Sequence, residues 1–376
     1  MPVPTVRQLT LSQVEELLRP MSLPPLPERP LVSVLMTNYN YARYLGEAIE
    51  SVLAQTYQNF ELIICDDGST DNSCEVIEGY ARRDPRVKLI RKPNGGAASA
   101  LNAAYRGSRG EVICLLDADD VYFPEKVEKV IQVFRSDPRV GFVANKIMRI
   151  DNEGRSFGVS PLLCDLPVGW LGPAVVRCGG VIISPPASGL SFRREVVERI
   201  FPLGEEFRVS PEGSLQRLAP LMTHTGAVGE PLSGYRIHGG NMGYTLALTP
   251  ATVDVMLPVM RRQYELQREY LANINPRLAE MFLPFDSNWT VVQMKYVAAR
   301  SKGEPDAGVL WRALVTHQDF QTLPALHRWF WWIAPALPRP LFGWAVNQLV
   351  GQSRLKQFLS SIFQPRRRAA WQGAKE

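Results

Sequence analysis

From Leu31 to Met36 the chain reads LVSVLM, a short β-branched run with one polar position, as expected of a strand buried on both faces of a parallel sheet. From Tyr44 the period changes. Leu45, Ala48, Ile49, Val52 and Leu53 recur at helical spacing and predict an amphipathic helix. The alternation then repeats: strands at Glu61–Cys65, Val87–Ile90 and Glu111–Leu116, with helices through Val76, Ile77 and Tyr80 and over Ala97–Tyr105. Another helix begins at Pro124, with Val127, Val130, Ile131 and Phe134 on one face.

Strands and helices alternating in units of about 25 to 30 residues predict βαβ crossovers in an α/β, doubly wound sheet. Ligands of such sheets bind beyond the carboxyl ends of the strands. The loops there are Thr37–Asn40, Asp66–Ser69, Lys92–Gly96 and Asp117–Asp120, all polar and two of them acidic. From Val140 the pattern is less regular, with Gly/Pro-rich loops between Gly154 and Gly189, a short helix at Arg193–Ile200 and a segment Pro211–Leu221. The run YRIHGGN, Tyr235 to Asn241, closes this part. Beyond it the chain reads as helical, including Val253–Asn273 and Asn288–Arg300. The expected organisation is an N-terminal extension over 1–29, an α/β domain over 30–245 with halves 30–154 and 155–245, and a helical C-terminal region over 246–376.

The 376 residues have ordinary globular composition, 45% hydrophobic and 21% charged, which excludes a disordered chain. The five cysteines form no C-x-x-C pair and no zinc spacing, so buried free thiols in a reducing compartment are expected. The first 29 residues lack the basic and apolar regions of a signal peptide, which points to the cytoplasm.

Asp117-Ala118-Asp119-Asp120 follows the fourth strand, so at least two of its carboxylates are expected to face one cleft. Carboxylates are the ligands that Mg²⁺ and Mn²⁺ prefer, with substrate phosphates supplying the rest. A solvated acidic turn is the plain alternative. Asp66-Asp67 ends the second strand, and acids crowded at one edge are costly unless a cation or hydrogen-bond donors intervene. There is no G-x-x-x-x-G-K-[ST] and no G-x-G-x-x-G after the first strand, which excludes P-loop chemistry and argues against a nicotinamide dehydrogenase.

Three stretches in order, SVLMTNYNYARYLGEAIESVLAQTYQNFELIICDDGSTDNS, KPNGGAASALNAA and GEVICLLDADDVYFPEKV, resemble the family 2 glycosyltransferases of GT-A fold. The likeness is dense over about 31–154 and thinner to about 241. It implies a nucleotide-sugar donor at the strand ends and a divalent metal, Mn²⁺ or Mg²⁺, on its diphosphate. Thr37 and Tyr39 match positions at the nucleotide base, the Tyr39 ring available for stacking, and Asp67 matches the carboxylate that hydrogen-bonds the base. Asn94 and Gly96 lie in the loop passing near the nucleotide. Asp117 and Asp119 match the Asp-x-Asp on ribose and metal, with Asp119 the stronger metal ligand, and His238 matches a late-loop histidine that approaches the metal.

An inverting transfer needs a base on the acceptor side. Glu212 is the candidate, with a helix-capping glutamate as its plain alternative and Glu205 and Glu206 as neighbours in competition. Two departures from the family stand out. Leu101 occupies a position where many members carry Arg, so a cation at the donor must come from elsewhere. Gln216-Arg217-Leu218 does not satisfy Gln-x-x-Arg-Trp, which favours single addition over processive synthesis.

The activity implied is a non-processive, inverting hexosyl transfer, with a UDP-sugar as donor and a glycan or lipid-linked hydroxyl as acceptor, in cell-surface polysaccharide or glycolipid biosynthesis. A catalytically inactive nucleotide-sugar-binding or membrane-scaffold protein is the other reading. A sugar-phosphate nucleotidyltransferase is disfavoured because TNYNYARY is not the Gly-rich basic loop it needs.

The formal charge of +5 is unevenly placed. From Leu323 to Glu376 there are eight Lys/Arg against the single acid Glu376, whereas the preceding residues are near neutral. That excludes a nucleic-acid groove spread over the fold. The apolar run at Trp329–Pro338 is too short to span a bilayer, for which about 20 residues are needed. With Arg328, Arg339, an amphipathic stretch Leu341–Phe363 and Arg366–Arg368, it suits a peripheral element on the anionic inner face of the plasma membrane. A helix packing its aromatics on the fold is the alternative.

Overall fold

The computed structural model describes residues 11–159, 166–180, 185–238 and 248–349. Clustering of the backbone gives two compact units, Met1–Gly243 with Val259–Pro284, and Tyr244–Pro258 with Phe285–Glu376.

In the first unit, β1 (Val32–Asn38), β2 (Phe60–Asp66), β3 (Val87–Arg91) and β4 (Val112–Asp117) lie parallel in the order β3-β2-β1-β4. The order reverses at β1, so the crevice beyond β1 and β4 is the switch point of the sheet. Register decides what meets there. Thr37 pairs with Cys65 on one side and Asp117 on the other, and Asn38 pairs with Asp66. Every residue of β2 is buried. One face of the sheet (Val34, Met36, Leu62, Ile64) clusters with Leu45, Ala48, Ile49 and Val52 of α2 (Ala42–Leu53) and with Ile77 of α3 (Ser73–Ala81). The other face (Leu35, Ile63, Leu115) clusters with the small Ala98, Ala100 and Ala104 of α4 (Ala97–Arg106).

The second half follows through β5 (Val121–Tyr122), α5 (Lys126–Ser136), β6 (Val140–Ile150), β7 (Ser156–Val159), β8 (Gly169–Trp170) and α6 (Gly172–Cys178). Then come β9 (Leu190–Arg193), α7 (Arg194–Val197), α8 (Glu212–Met222) and β10 (His224–Arg236). Strand β9 runs antiparallel between β4 and β6, β10 pairs parallel with β6, and the sheet ends β9-β6-β10-β5, making it mixed. The sequence shows only the end of β10. Gly226, Gly229, Pro231 and Gly234 break its alternation, and the strand absorbs them through register shifts around Pro231.

Two boundaries differ from the sequence reading. The segment 11–29 is part of the first unit: Val14 and Leu18, in and just after α1 (Leu11–Leu17), are fully buried, and the Met21 N–H donates to the Met222 carbonyl at 2.7 Å. Helix α9 (Pro250–Ile274) does not fall wholly beyond a boundary at 245. Val259 and Leu266 pack against the α4–α8 side of the sheet, which carries 259–284 into the first unit. Helix α10 (Pro276–Met281) lies in the same stretch.

The second unit is helical, with α11 (Trp289–Lys302), α12 (Ala307–Thr316), α13 (Ala325–Ile333) and α14 (Arg339–Leu349) around Tyr296, Leu314, Phe320, Phe330, Trp331 and Phe342. The Asn288 side chain caps the start of α11, and Gly303 at φ +78° ends it. No described helix is long and apolar enough to cross a membrane. The stretch beyond Leu349, with Arg366–Arg368, lies outside the described residues, as does Cys164. Cys65 and Cys114 are buried thiols, Cys74 is half-buried and Cys178 is exposed.

Asn102 of α4 joins the two halves. Its amide donates to the Leu203 carbonyl and accepts from the Leu203 N–H, both at 2.8 Å in a buried setting. Asn102→Ala leaves both backbone groups unpaired and is expected to cost about 2–6 kcal/mol, at roughly 1–3 kcal/mol per buried unsatisfied group. Urea unfolding measures it, and a loss below about 1 kcal/mol contradicts the clamp.

Candidate active site

The loops after β1, β2 and β3 at the carboxyl edge are tied to one another by side chains. Asn40, at φ +61°, accepts from the Thr70 N–H at 2.7 Å and donates its own N–H to Ser69 Oγ at 2.9 Å. A short amide side chain that bonds locally is what makes this left-handed backbone tolerable for a residue other than glycine. Asp66 accepts from Asn38 Nδ2 at 2.8 Å and from the Ser69 N–H at 2.9 Å. Burial pushes the Asp66 carboxyl up, but hydrogen bonds from Ser69, Asn38 and Cys74 outweigh it and hold the group below its ordinary value.

Asp67 organises the loop after β3. Its carboxylate accepts from Lys92 Nζ at 2.6 Å, the Gly95 N–H at 3.0 Å and the Gly96 N–H at 2.7 Å. Gly68, at φ +80°, has room for no Cβ, which would stand 2.8 Å from the Asn94 nitrogen. Asn94 Oδ1 accepts from Arg208 at 2.8 Å, and the Arg208 carbonyl accepts from the Ala97 N–H at the start of α4. Leu101 is buried in the core. A cation therefore stands at this loop from another segment, Arg208, which sequence reasoning left unassigned.

The acidic turn after β4 is the electrostatic centre. Asp120 is fully buried, accepting from Ser188 Oγ at 2.5 Å and the Arg236 N–H at 2.9 Å. Ser188, in a buried turn at Ala187–Gly189, also accepts from the Asp117 N–H at 3.1 Å. Ser188 is fully buried and serves as an internal hub. Burial, then Asp119 and Asp117, push the Asp120 carboxyl well up, against the hydrogen bonds from Ser188 and Arg236. Burial, then Asp119 and Glu212, do the same to Asp117. Neither acid forms an ion pair among the described residues. Lys126 is buried nearby, donating to Asn145 at 2.6 Å and to the Ser188 carbonyl at 3.1 Å, and burial lowers it to about 8.

Glu212 opens α8, close enough to Asp117 for the two charges to repel. Burial raises it to about 7, against the pull of its own backbone N–H. Gly213 lets α8 approach Gln263 of α9, whose amide donates to the Ser210 carbonyl at 3.1 Å and steadies the turn before Glu212. Glu205 and Glu206 are exposed, and Glu206 is held by Arg262 at 3.0 Å. Arg217 donates to Gln263 and Gln216 to the Pro185 carbonyl, so both have structural partners.

His238 Nε2 lies 2.9 Å from Asp119 Oδ2. Its ring stacks on Tyr44 at 5.1 Å and meets Tyr41 edge-on at 5.9 Å. Burial and the charges of Asp119, Asp117 and Asp120 all raise the Tyr41 phenol. Arg236 is fully buried, donating to the Asp119 carbonyl at 2.7 Å and to Glu47 at 2.6 Å, with its guanidinium 4.9 Å from the Tyr44 ring. Arg236 lies inside the YRIHGGN run, and its place two residues before His238 was the only sequence signal for it.

The structure thus brings Asp117, Asp119, His238 and Glu212 to one region. It sets Thr37 beside Asp117, leaves Tyr39 47% exposed just after β1, and holds Asp67, after β2, against Gly96 in the β3 loop that also carries Asn94.

A parallel half-sheet, a mixed second half and acids at the switch point define a GT-A fold. Residues 33–201 match the model of "Glycosyl transferase family 2", which identifies that stretch of the chain as a family 2 glycosyltransferase domain. It is 38% identical over 212 residues to an uncharacterized glycosyltransferase of Nostoc sp., covering 56% of this chain and 66% of that one. It is 41% identical over 125 residues to the chondroitin synthase of Pasteurella multocida, covering 33% of this chain and 13% of the relative. The chain thus spans less than two thirds of these relatives. Among solved structures, S. aureus TarS 1-349 in complex with UDP-GlcNAc shares the fold, with TM-score 0.50 and 15% identity over 77% of this chain and 91% of that one.

Glu212 binds its proton more tightly folded, at about 7, than at its ordinary 4.5. Such a group contributes stability below its unfolded pKa and loses it as pH rises through the folded one. Stability is expected to fall between pH 5 and pH 8, and Glu212→Gln to make that fall shallower. Thermal melting across this range tests it, and an unchanged slope contradicts it.

Proposed function

We propose that this chain transfers one sugar, with inversion, from a UDP-sugar to a hydroxyl of a glycan or lipid-linked acceptor, in cell-surface polysaccharide or glycolipid assembly at the cytoplasmic side. The observation that carries the reading is the meeting of Glu212 with the Asp117–Asp120 turn at the switch point of the sheet. The relatives named chondroitin synthase and hyaluronan synthase support a polysaccharide setting.

The donor set fits a divalent cation. Asp119 Oδ2 and His238 Nε2 converge within 2.9 Å, Asp117 adds charge beside them, and carboxylate with imidazole suits Mn²⁺ or Mg²⁺. Among the described residues no three His, Cys, Asp or Glu side chains stand together as a metal site. Asp119 with His238 would hold the ion, with the charge of Asp117 nearby, and when bound it would supply charge to offset that developing on the leaving diphosphate. Thr37, Tyr39 and Asp67 would receive the base, with the Asp67 carboxylate keeping the Lys92–Gly96 loop in shape beside it. Asn94 and Gly96 line the diphosphate side, where Arg208 supplies the cation that Leu101 does not.

Glu212 serves as the base. It takes the acceptor hydroxyl proton as the new bond forms at the anomeric carbon and the bond to the diphosphate breaks. A carboxylate at about 7 is well matched to this, because base strength and deprotonated fraction are both sufficient near neutrality.

Transfer is expected to rise with pH through an apparent pKa near 7, the deprotonated Glu212 being the active form. Glu212→Gln is expected to lose about 10²–10⁴ in kcat while donor affinity is kept. Nucleoside diphosphate release against an acceptor pool measures both, and full turnover in the variant contradicts the assignment.

Asp119→Ala is expected to abolish transfer with the circular dichroism spectrum unchanged. Full activity in that variant, by the same release assay, contradicts the reading of the acidic turn.

A further inference from the structure

Helix α13 is apolar on both sides. Phe330 and Trp331 point inward, where Trp331 meets Tyr296 at 6.1 Å and Phe330 stacks with Phe342 at 6.5 Å. On the outside, Leu326, Trp329 and Trp332 follow one another at i, i+3 and i+6, exposed by 54%, 59% and 56%. A surface helix with one buried stripe ordinarily shows polar residues to water. Here the outer stripe is a ridge of two indoles and a leucine. The Trp332 ring is held in place by edge contacts with Trp311 at 5.7 Å and Phe320 at 6.3 Å. Helix α14 adds exposed Leu341 and Trp344.

Charge selects the occupant. No Asp or Glu occurs between Asp319 and Glu376, while eight Lys/Arg do, among them Arg328 beside the ridge and Arg339 at the head of α14. A second copy of this chain would bring the same positive segment against itself across an isologous contact, which is repulsive. An anionic bilayer has the opposite sign, and indoles with an apolar body and an N–H are suited to its headgroup layer. Nine residues of α13 cannot span the hydrocarbon, so the helix lies in the interface plane.

We propose that the Leu326–Trp329–Trp332 ridge is a docking surface for an anionic lipid bilayer, entered by the two tryptophans, with Arg328 of the same helix and Arg339 of α14 drawing the lipid charge. The proposal does not rest on the transfer reading, since the ridge is made within the helical unit alone.

The full chain is mixed with vesicles of phosphatidylcholine, or of phosphatidylcholine with phosphatidylglycerol, and sedimented while tryptophan emission is recorded. The expected result is pelleting with the phosphatidylglycerol vesicles only, a blue shift of emission on binding, and weakening at high salt. Trp329→Ser with Trp332→Ser is expected to lower vesicle affinity about tenfold or more, with the far-ultraviolet spectrum unchanged because both rings are exposed. Leu326→Gln, a milder change in the same stripe, should weaken binding in the same direction. Equal pelleting of parent and double variant overturns the proposal, and so does absence of binding to either vesicle. Loss of a dimer in the double variant, by light scattering and without vesicle binding, assigns the ridge to a second copy and overturns it too.

Discussion

The constraint on which the first unit depends is the burial of Asp120, which has no counter-ion among the described residues. A carboxylate removed from water must be hydrogen-bonded or shed its charge. Asp120 meets this through Ser188 Oγ and the Arg236 N–H, which draw together the end of β4, the turn before β9 and the end of β10. Those three pieces come from positions up to 116 residues apart in the chain. Ser188 Oγ also accepts from the Asp117 N–H, and His238, two residues beyond Arg236, lies 2.9 Å from Asp119, so the same pieces of chain meet around the acidic turn.

The surrounding loops are built on the same principle, with polar side chains bonded to backbone groups of the next loop rather than to solvent. Asn40 holds the β2 loop, Asp67 holds the β3 loop, and Arg208 holds Asn94. This arrangement fixes the donor-side surface before any ligand arrives, which lowers the ordering cost of binding. The repulsion among Asp117, Asp119, Asp120 and Glu212 remains, and it is the reason that charge of opposite sign is expected at their centre.

Much of this was legible from periodicity. The strands β1 to β4 follow from short apolar runs, helices α2 to α5 from period-3.6 patterns, and the acidic turn from its own residues, all of which local sequence carries by itself. The nearness of Glu212 to Asp117 is long-range in sequence, so spacing named the residue but not its neighbour. Asp120 was passed over for Asp117 and Asp119, because the difference between an acid that faces the cleft and one that holds the turn lies in the side-chain direction. Arg208 and Tyr44 gave no local signal, since each acts on a segment remote in the chain. The boundary at 245 was misplaced for a related reason: α9 is one uninterrupted helix, and only its packing shows that its later turns belong with the sheet. The tryptophans of α13 read as one cluster in sequence, whereas the helix divides them between core and surface.

The central claim is that the acids at the switch point share a divalent cation with a nucleotide diphosphate. Calorimetric titration of UDP into the full chain, with and without Mn²⁺, tests it most directly. By linkage, each ligand should strengthen the other by the same factor. The account predicts UDP binding about tenfold or more tighter with Mn²⁺, and loss of that gain in Asp119→Ala. Equal UDP affinity with and without the ion contradicts it.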